Sequence, residues 1–298
     1  MNNNLVLGAD IGGSHITTAL IDLETSRILP GTMVRKQVNA HGTAAAIMAV
    51  WCAALQETVG TLTLAKKRIG IAMPGPFDYE QGICLIKGQD KYEALYELNV
   101  KDLLARAMGI DAGDIRLQND AGAFLQGEIF GGAARGAADV VGVTLGTGLG
   151  TSRSHAGVAA DANLWCLPFQ DSIAEDYLST RWFVQRYETL SGRKVADVKI
   201  LAGRVGRDEV ARAVFAEFGH TLGLFLTEFI RMDQPEVIVL GGNIAQAADL
   251  FLPETEKVLA RQQHPVTLKL AALGEAAALI GAASGWHRQG AETVQPGR

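Results

Sequence analysis

Apolar residues fall along this chain in short runs that stop at glycine or proline and in longer stretches with helical spacing, the alternation of an α/β protein. Leu5 to Ile11 is such a run, closed by Gly12-Gly13-Ser14, and His15 to Leu23 resumes with the β-branched Ile16, Thr17, Thr18 and Ile21. This predicts strand, tight turn, strand. A third extended segment is expected around Met33 to Val38, then an Ala-rich helix from about Thr43 to Val59. Arg68 to Met73 predicts a buried strand that stops at Pro74-Gly75-Pro76, because proline cannot continue a central ladder. Val100 to Met108 predicts a helix and Ile115 to Gln118 a short strand, with a further helix in the Ala-rich stretch after Asn119-Asp120.

The second half begins the pattern again. Val140 to Leu145 is an apolar run closed by Gly146-Thr147-Gly148-Leu149-Gly150, the counterpart of the first glycine turn. Helices are expected from Ala174 to Tyr187 and from Glu209 to Met232, the latter on the spacing of Val214, Phe218, Leu222, Phe225 and Phe229. Glu236 to Leu240 predicts a strand meeting Gly241-Gly242-Asn243, Val266 to Leu270 a last strand, and Ala276 to Trp286 a closing helix. The polar tail after Arg288 is expected to be loose. The repeated order implies an internal duplication of an α/β unit, with a central cleft between halves that a glycine turn from each half could face.

Composition narrows the function classes. A chain of 298 residues with 48% hydrophobic content exceeds the ~100–200 residues of one domain, so two domains are expected. The division is placed at 1–121 and 122–298, with the final helix able to pack back on the first domain. A net charge of -5, with basic residues scattered, argues against a nucleic-acid surface. Met1-Asn2-Asn3-Asn4 carries no basic leader and no apolar segment is expected to reach the ~20 residues of a membrane span, so a cytoplasmic protein without a membrane partner is expected. Three widely separated cysteines fit reduced thiols, and the six histidines complete no zinc-ligand spacing.

The candidate chemistry lies where strands meet polar residues. Glycine in a turn permits positive φ and close backbone approach to a ligand, leaving N–H groups to face an anion. The same glycines also suit an ordinary hairpin. Asp10 precedes the first turn within an apolar strand, a costly place for a carboxylate unless a cation is near, and Mg²⁺ with phosphates would serve. The tetrapeptide Asn119-Asp120-Ala121-Gly122 sits at a strand's carboxyl end, where open α/β sheets place their chemistry. There Asp120 could cap the following helix or act as a base. A GxxxxGK[ST] segment is missing, and Gly146-Thr147-Gly148-Leu149-Gly150-Thr151 departs from GxGxxG at its last position, so neither a P-loop nor a dinucleotide site is favoured.

These segments together resemble the ROK family (repressor, open reading frame, kinase), whose sugar kinases and sugar-responsive repressors share the actin/hexokinase-like ATPase fold. The resemblance is carried by "GADIGGS" (Gly8 to Ser14), "GIAMPGPFD" (Gly70 to Asp78), "QNDAGAFLQGE" (Gln118 to Glu128), "GVTLGTGLG" (Gly142 to Gly150), "VIVLGGNI" (Val237 to Ile244) and "LGEAAALIGAA" (Leu273 to Ala283). It implies two actin-like ATPase (ribonuclease H-like) domains around a central cleft. It further implies that Asp10 assists Mg²⁺ through water, that Gly12, Gly13, Ser14, Gly146, Thr147 and Gly148 hold ATP phosphates, and that Gly241 and Gly242 lie against the adenosine. Asn119 would bind a sugar hydroxyl, Gly75 and Pro76 would shape the sugar side, and Asp120 would be the base. A homodimer is implied as well.

Some of the pattern departs from the family. The Gly-Glu-x-Gly-His segment and the Cys-rich zinc loop are replaced by "TSRSHAGVAADANLWCLPFQDSIAE" from Thr151 to Glu175. Glu175 matches the family's sugar-contacting glutamate, and His155 and Asp161 are local candidates for the remaining polar contacts, each also explicable as a loop residue. The first turn reads Ser14-His15 where the family prefers Thr and Lys, and Gly88-Gln89-Asp90-Lys91 alters a sugar-contacting segment. The expectation is an ATP-dependent sugar kinase, glucokinase-like, phosphorylating a hexose or hexose derivative at a primary hydroxyl. The alternatives are a sugar-sensing binding protein without turnover and an ATPase of the same fold that is indifferent to sugars. A helix-turn-helix reader before Leu5 is not expected.

Overall fold

The structure is a computed structural model that describes residues 4–287 apart from 61, 63, 65, 90, 262 and 263. The tail after Arg288 and Asp90 of the altered segment lie outside the described residues. The chain divides into two compact units, one made of residues 1–136 and 275–298 and the other of residues 137–274.

The first unit opens with β1 (Leu5–Ile11) and β2 (His15–Asp22), an antiparallel pair, followed by β3 (Arg27–Ile28), β4 (Val34–Gln37), α1 (Ala44–Val59), β5 (Ile69–Met73), the short pair β6 (Phe77–Asp78) and β7 (Ile83–Cys84), α2 (Val100–Met108), β8 (Ile115–Asn119) and α3 (Asp120–Gly131). Its sheet runs β3-β2-β1-β5-β8, with β4 also pairing with β2. β1, β5 and β8 are parallel neighbours, so Asp10, Ala72 and Gln118 stand in one row near the strands' carboxyl ends. β5 is buried at every position, as a parallel strand covered on both faces must be. Local chemistry sets the helix ends. Thr43 caps α1 by accepting from Ala46 N–H at 3.2 Å, and α2 runs from an Asn99 cap to a left-handed Gly109 at φ 64°.

The second unit repeats the plan. β9 (Val140–Leu145) and β10 (Leu149–His155) form the antiparallel pair, followed by β11 (Val158–Asp161), the pair β12 (Pro168–Phe169) and β13 (Ser172–Ile173), α4 (Ala174–Tyr177), α5 (Thr180–Ser191), α6 (Val198–Ala202), α7 (Glu209–Asp233), β14 (Val237–Gly241), α8 (Leu252–Leu259) and β15 (Thr267–Leu270). Its sheet order is β11-β10-β9-β14-β15, with β9, β14 and β15 parallel. An antiparallel hairpin extended by two parallel strands thus occurs in both units. The chain then returns as α9 (Ala276–Ser284), which packs on α3, β1 and β5 of the first unit.

Four expectations change. The division placed at 121/122 falls inside α3, whose Ala123 packs with Ala72 and Ala282, so the whole of α3 belongs to the first unit. The single helix expected from Ala174 to Tyr187 is two, because Leu178 and Ser179 leave helical geometry. The strands β10 and β11 after the second glycine turn were not expected at all. Finally, α7 is long and apolar enough to span a membrane by length and composition, although 61% of its most apolar stretch is buried. Its Phe215, Phe218, Phe225 and Phe229 lie in the second unit's own core.

Candidate active site

Asp10 stands near the carboxyl end of β1, in one row with Ala72 and Gln118. Its carboxyl is pushed up to about 6, first by burial, then by the nearby charge of Asp120, with Arg35 opposing and Glu275 adding to the rise. The turn that follows is closed by Gly12 N–H donating to the His15 carbonyl at 2.9 Å, and the buried Tyr92 braces it by donating its hydroxyl to the Gly12 carbonyl. A Cβ at Gly13 would meet nothing within 4 Å, so the outer face of the turn is open. Neither Gly12 nor Gly13 has positive φ, and the same holds for Gly146 and Gly148. Of the two uses expected of these glycines, positive φ is not the one the turns make, and at Gly13 the absent side chain leaves room for close approach.

Across the row, Asn119 and Asp120 divide the work that the sequence left open. Asn119 is the cap of α3, its Oδ1 accepting from Ala121 N–H at 2.8 Å and Gly122 N–H at 3.1 Å. Asp120 is the first helical residue, with Oδ1 accepting from Ala121 N–H at 2.9 Å, and its carboxylate is close enough to Asp10 to raise that group's pKa. A helix N-terminus stabilises a carboxylate there. Asn119 Nδ2 also donates to the hydroxyl of Tyr79 at 3.4 Å, and Tyr79 donates to the Met73 carbonyl at 3.0 Å. Gly75, joined to Pro76 by a cis peptide, lies against the same hydroxyl: a Cβ there would stand 3.0 Å from it. Sequence reasoning missed Tyr79 and Tyr92. Both come from loops, where no periodicity marks them.

In the second unit, the Gly146-Thr147-Gly148 turn is closed by Gly146 N–H donating to the Gly148 carbonyl at 3.1 Å. Glu175 buttresses it. Its Oε2 accepts from Leu149 N–H at 3.1 Å and would meet a Cβ at Gly148 at 2.6 Å. The break between α4 and α5 has the same destination: Thr180 donates both its N–H, at 2.8 Å, and its hydroxyl, at 2.9 Å, to the Gly146 carbonyl. Gly241 pairs with Thr144, and Gly242, at φ 86°, backs onto Leu145 so closely that a Cβ would overlap its backbone. That approach fixes glycine at 242. The two local candidates each have a partner in the second unit. Asp161 Oδ1 accepts from Asn163 N–H at 2.8 Å, which turns its own loop. His155 lies at the other end of β10 from the turn, 3.2 Å from Asp139 and 3.4 Å from Asp233, so it is no part of this constellation.

The residues fit a cation that is held partly by a ligand. Among the described residues no group of three His, Cys, Asp or Glu forms a cage, yet Asp10 and Asp120 set two carboxylates together in a desolvated place. Mg²⁺ is commonly held by one or two carboxylates plus substrate phosphates.

A model of the ROK family matches residues 6–166 and, overlapping, 155–289. The glucokinase of Thermotoga maritima is 27% identical over 289 aligned residues, covering 85% of this chain and 87% of its own length. The N-acetyl-D-glucosamine kinase of Pectobacterium carotovorum is 23% identical, covering 82% of this chain and 85% of its own. A putative xylose repressor of Caldicellulosiruptor is 21% identical, covering 94% of this chain and 77% of its own. Among solved structures, a ROK family glucokinase of Streptomyces griseus in complex with glucose and AMPPNP aligns with a TM-score of 0.76 at 24% identity, covering 96% of this chain and 99% of that one.

Proposed function

The chain belongs to the ROK family, and from that premise we propose that it is an ATP-dependent sugar kinase acting on a hexose or hexose derivative at a primary hydroxyl. One observation carries the reading. Asn119 takes the capping role, so the Asp120 carboxylate stands at the start of α3, beside Asp10 and one residue from the Asn119 amide.

Phosphoryl transfer needs positioning and charge neutralisation more than a strong base. In this reading Asn119, with Tyr79 behind it, holds a sugar hydroxyl, and Asp120 orients the attacking hydroxyl and accepts its proton. Gly75 and Pro76 shape the sugar side, and Glu175, whose Oε2 is held by the turn, contributes Oε1 to the sugar. The Gly12-Gly13-Ser14 and Gly146-Thr147-Gly148 turns take part in holding nucleotide phosphates through the N–H groups that their own closure does not use, and Gly241 and Gly242 lie against the adenosine. Asp10 would hold Mg²⁺ through water, and that ion would neutralise phosphate charge. We place the enzyme in the cytoplasm as a homodimer without nucleic-acid or membrane partners.

The test is a coupled ATP-consumption assay across a panel of hexoses and N-acetylhexosamines. Wild type should turn over at least one sugar, and Asp120→Asn should lower kcat for it by about 100-fold or more, the usual range for a lost general base. Equal turnover by the two proteins would remove Asp120 from the chemistry. The similarity to a putative xylose repressor gives the second reading its footing: sugar binding by calorimetry with no ATP turnover across the panel would favour a sensor.

A further inference from the structure

His15 stands in the first glycine turn as a departure that the kinase reading leaves unexplained. Its ring is gripped on both sides: Nε2 lies 3.0 Å from Nη2 of Arg35, and Nδ1 lies 3.2 Å from Oγ of Ser14. A guanidinium carries donors and no acceptor. The Arg35 contact therefore needs a lone pair on Nε2, which puts the hydrogen of the neutral ring on Nδ1, where it donates to Ser14. Ser14 accepts through Oγ, so its own hydrogen must point elsewhere, on the exposed side of the turn beside Gly13. Burial first and Arg35 second hold the imidazole below its usual pKa against the opposing pull of Glu275, which agrees with a neutral ring. Arg35 is itself steadied by Glu275 at 3.4 Å and by its strand, since β4 pairs with β2 and sets Arg35 opposite Thr17 and Gln37 opposite His15. A pocket lined by Ser14, His15, Arg35, Gln37 and Asn39 opens there.

We propose that Arg35, His15 and Ser14 form a hydrogen-bonded relay that fixes the Ser14 hydroxyl as a donor to a phosphate oxygen of the bound nucleotide. Arg35 and His15 are positioning residues; Ser14 makes the contact. The relay deepens the kinase reading and rests on it for the identity of the ligand. It also accounts for the residue type at 15: a lysine would bring a cation into the turn, whereas here the cation stands one strand away on Arg35 and acts through an oriented hydroxyl.

The arrangement is tested in two measurements on the full chain. Nitrogen NMR of the histidine side chains, with His15→Asn identifying the resonance, should show Nδ1 protonated and Nε2 bare near neutral pH. An Nε2-protonated ring in the wild type overturns the relay. Calorimetric titration with AMPPNP should show binding weakened about 5- to 10-fold in His15→Ala, the loss of one oriented hydrogen bond, and largely recovered in His15→Asn, whose amide can still donate to Ser14. Ser14→Ala should match His15→Ala, and the double variant should be no weaker than either, because one path carries both effects. Sugar KM should not move. Additive losses, or indifference to His15→Ala in a protein that binds AMPPNP and phosphorylates sugar, overturn the relay alone; a wild type that does not bind AMPPNP overturns the kinase reading together with it.

Discussion

Asp10 is a buried carboxylate that costs the fold stability. In the folded protein burial pushes its carboxyl up to about 6, against 3.8 for the free side chain. Between these values the folded chain binds more protons than the unfolded one, so stability falls as pH rises through that window. Above it burial of the ionised carboxylate costs the folded state an amount on the order of 1–3 kcal/mol, from the size of the shift. Asp10→Asn should therefore raise the melting temperature of the ligand-free protein at pH ~7.5, and its advantage should shrink as the pH falls to ~4, where the wild-type group is already protonated in the folded state. Saturating Mg²⁺ and nucleotide should shift the comparison back toward wild type, since a bound cation answers the charge that the variant lacks. Scanning calorimetry at the two pH values decides it; a variant no more stable than wild type at the higher pH would show that Asp10 is not strained by burial.

At the scale of elements, the sequence was legible wherever apolar residues made an uninterrupted run or a clear helical stripe. β1, β9 and α2 have the expected bounds, and β2, β5, β8, α1 and α7 differ by a residue at an end. β10 was missed for a physical reason: its buried positions include Thr151, Ser152 and Ser154, and Ser152 and Ser154 satisfy their hydroxyls on the carbonyls of Gly142 and Ala138, so polar residues occupy places where an apolar signal was sought. The break between α4 and α5 is equally invisible in sequence, since it is imposed by the Gly146 carbonyl that Thr180 must reach. The site was legible in part. Asp10, Asn119, Asp120 and the two turns stand at strand ends where the pattern put them, whereas Tyr79 reaches Asn119 and Glu175 reaches Gly148 only through tertiary packing. The packing of α3 on α9 carries its own prediction. A Cβ at Gly281 would overlap the carbonyl of Ala123, and one at Gly127 the carbonyl of Ala277, so the helices meet backbone to backbone. Gly281→Ala should cost about 1–3 kcal/mol in urea unfolding, the usual penalty of overpacking. Gly206→Ala, where a Cβ meets nothing within 4 Å, should stay within about 0.5 kcal/mol of wild type.

For the molecule as a whole, the consequential fact is that the first unit is built from both ends of the chain while the second is one continuous segment. The returning end is firmly held. α9 buries Leu279 and Ile280, and beyond it Trp286 donates its indole N–H to the Ile69 carbonyl at 3.2 Å while Arg116 and Arg68 lie 4.2 and 5.4 Å from its ring. Each buried aliphatic side chain of this kind stabilises by about 1.5–3 kcal/mol, against a total of ~5–15 kcal/mol for a typical domain. Removing the segment also uncovers the face of β1 and β5 on which it lies. A chain ending at Gly274 should therefore lose the first unit and keep the second, whose aromatic core of Phe183, Phe215, Phe218, Phe225, Phe229 and Phe251 draws nothing from the missing residues. Hydrogen exchange read by mass spectrometry should find β1, β5 and β8 unprotected in the truncated chain and β9 and β14 protected as in the full protein. A peptide of residues 275–298 supplied in excess should restore protection to β1 and β5, because what it replaces is burial of one helix face and not a covalent link. Protection of those strands without the peptide would mean that the sheet is held by α1 and α2 alone, and the closing helix would then be an accessory to the fold.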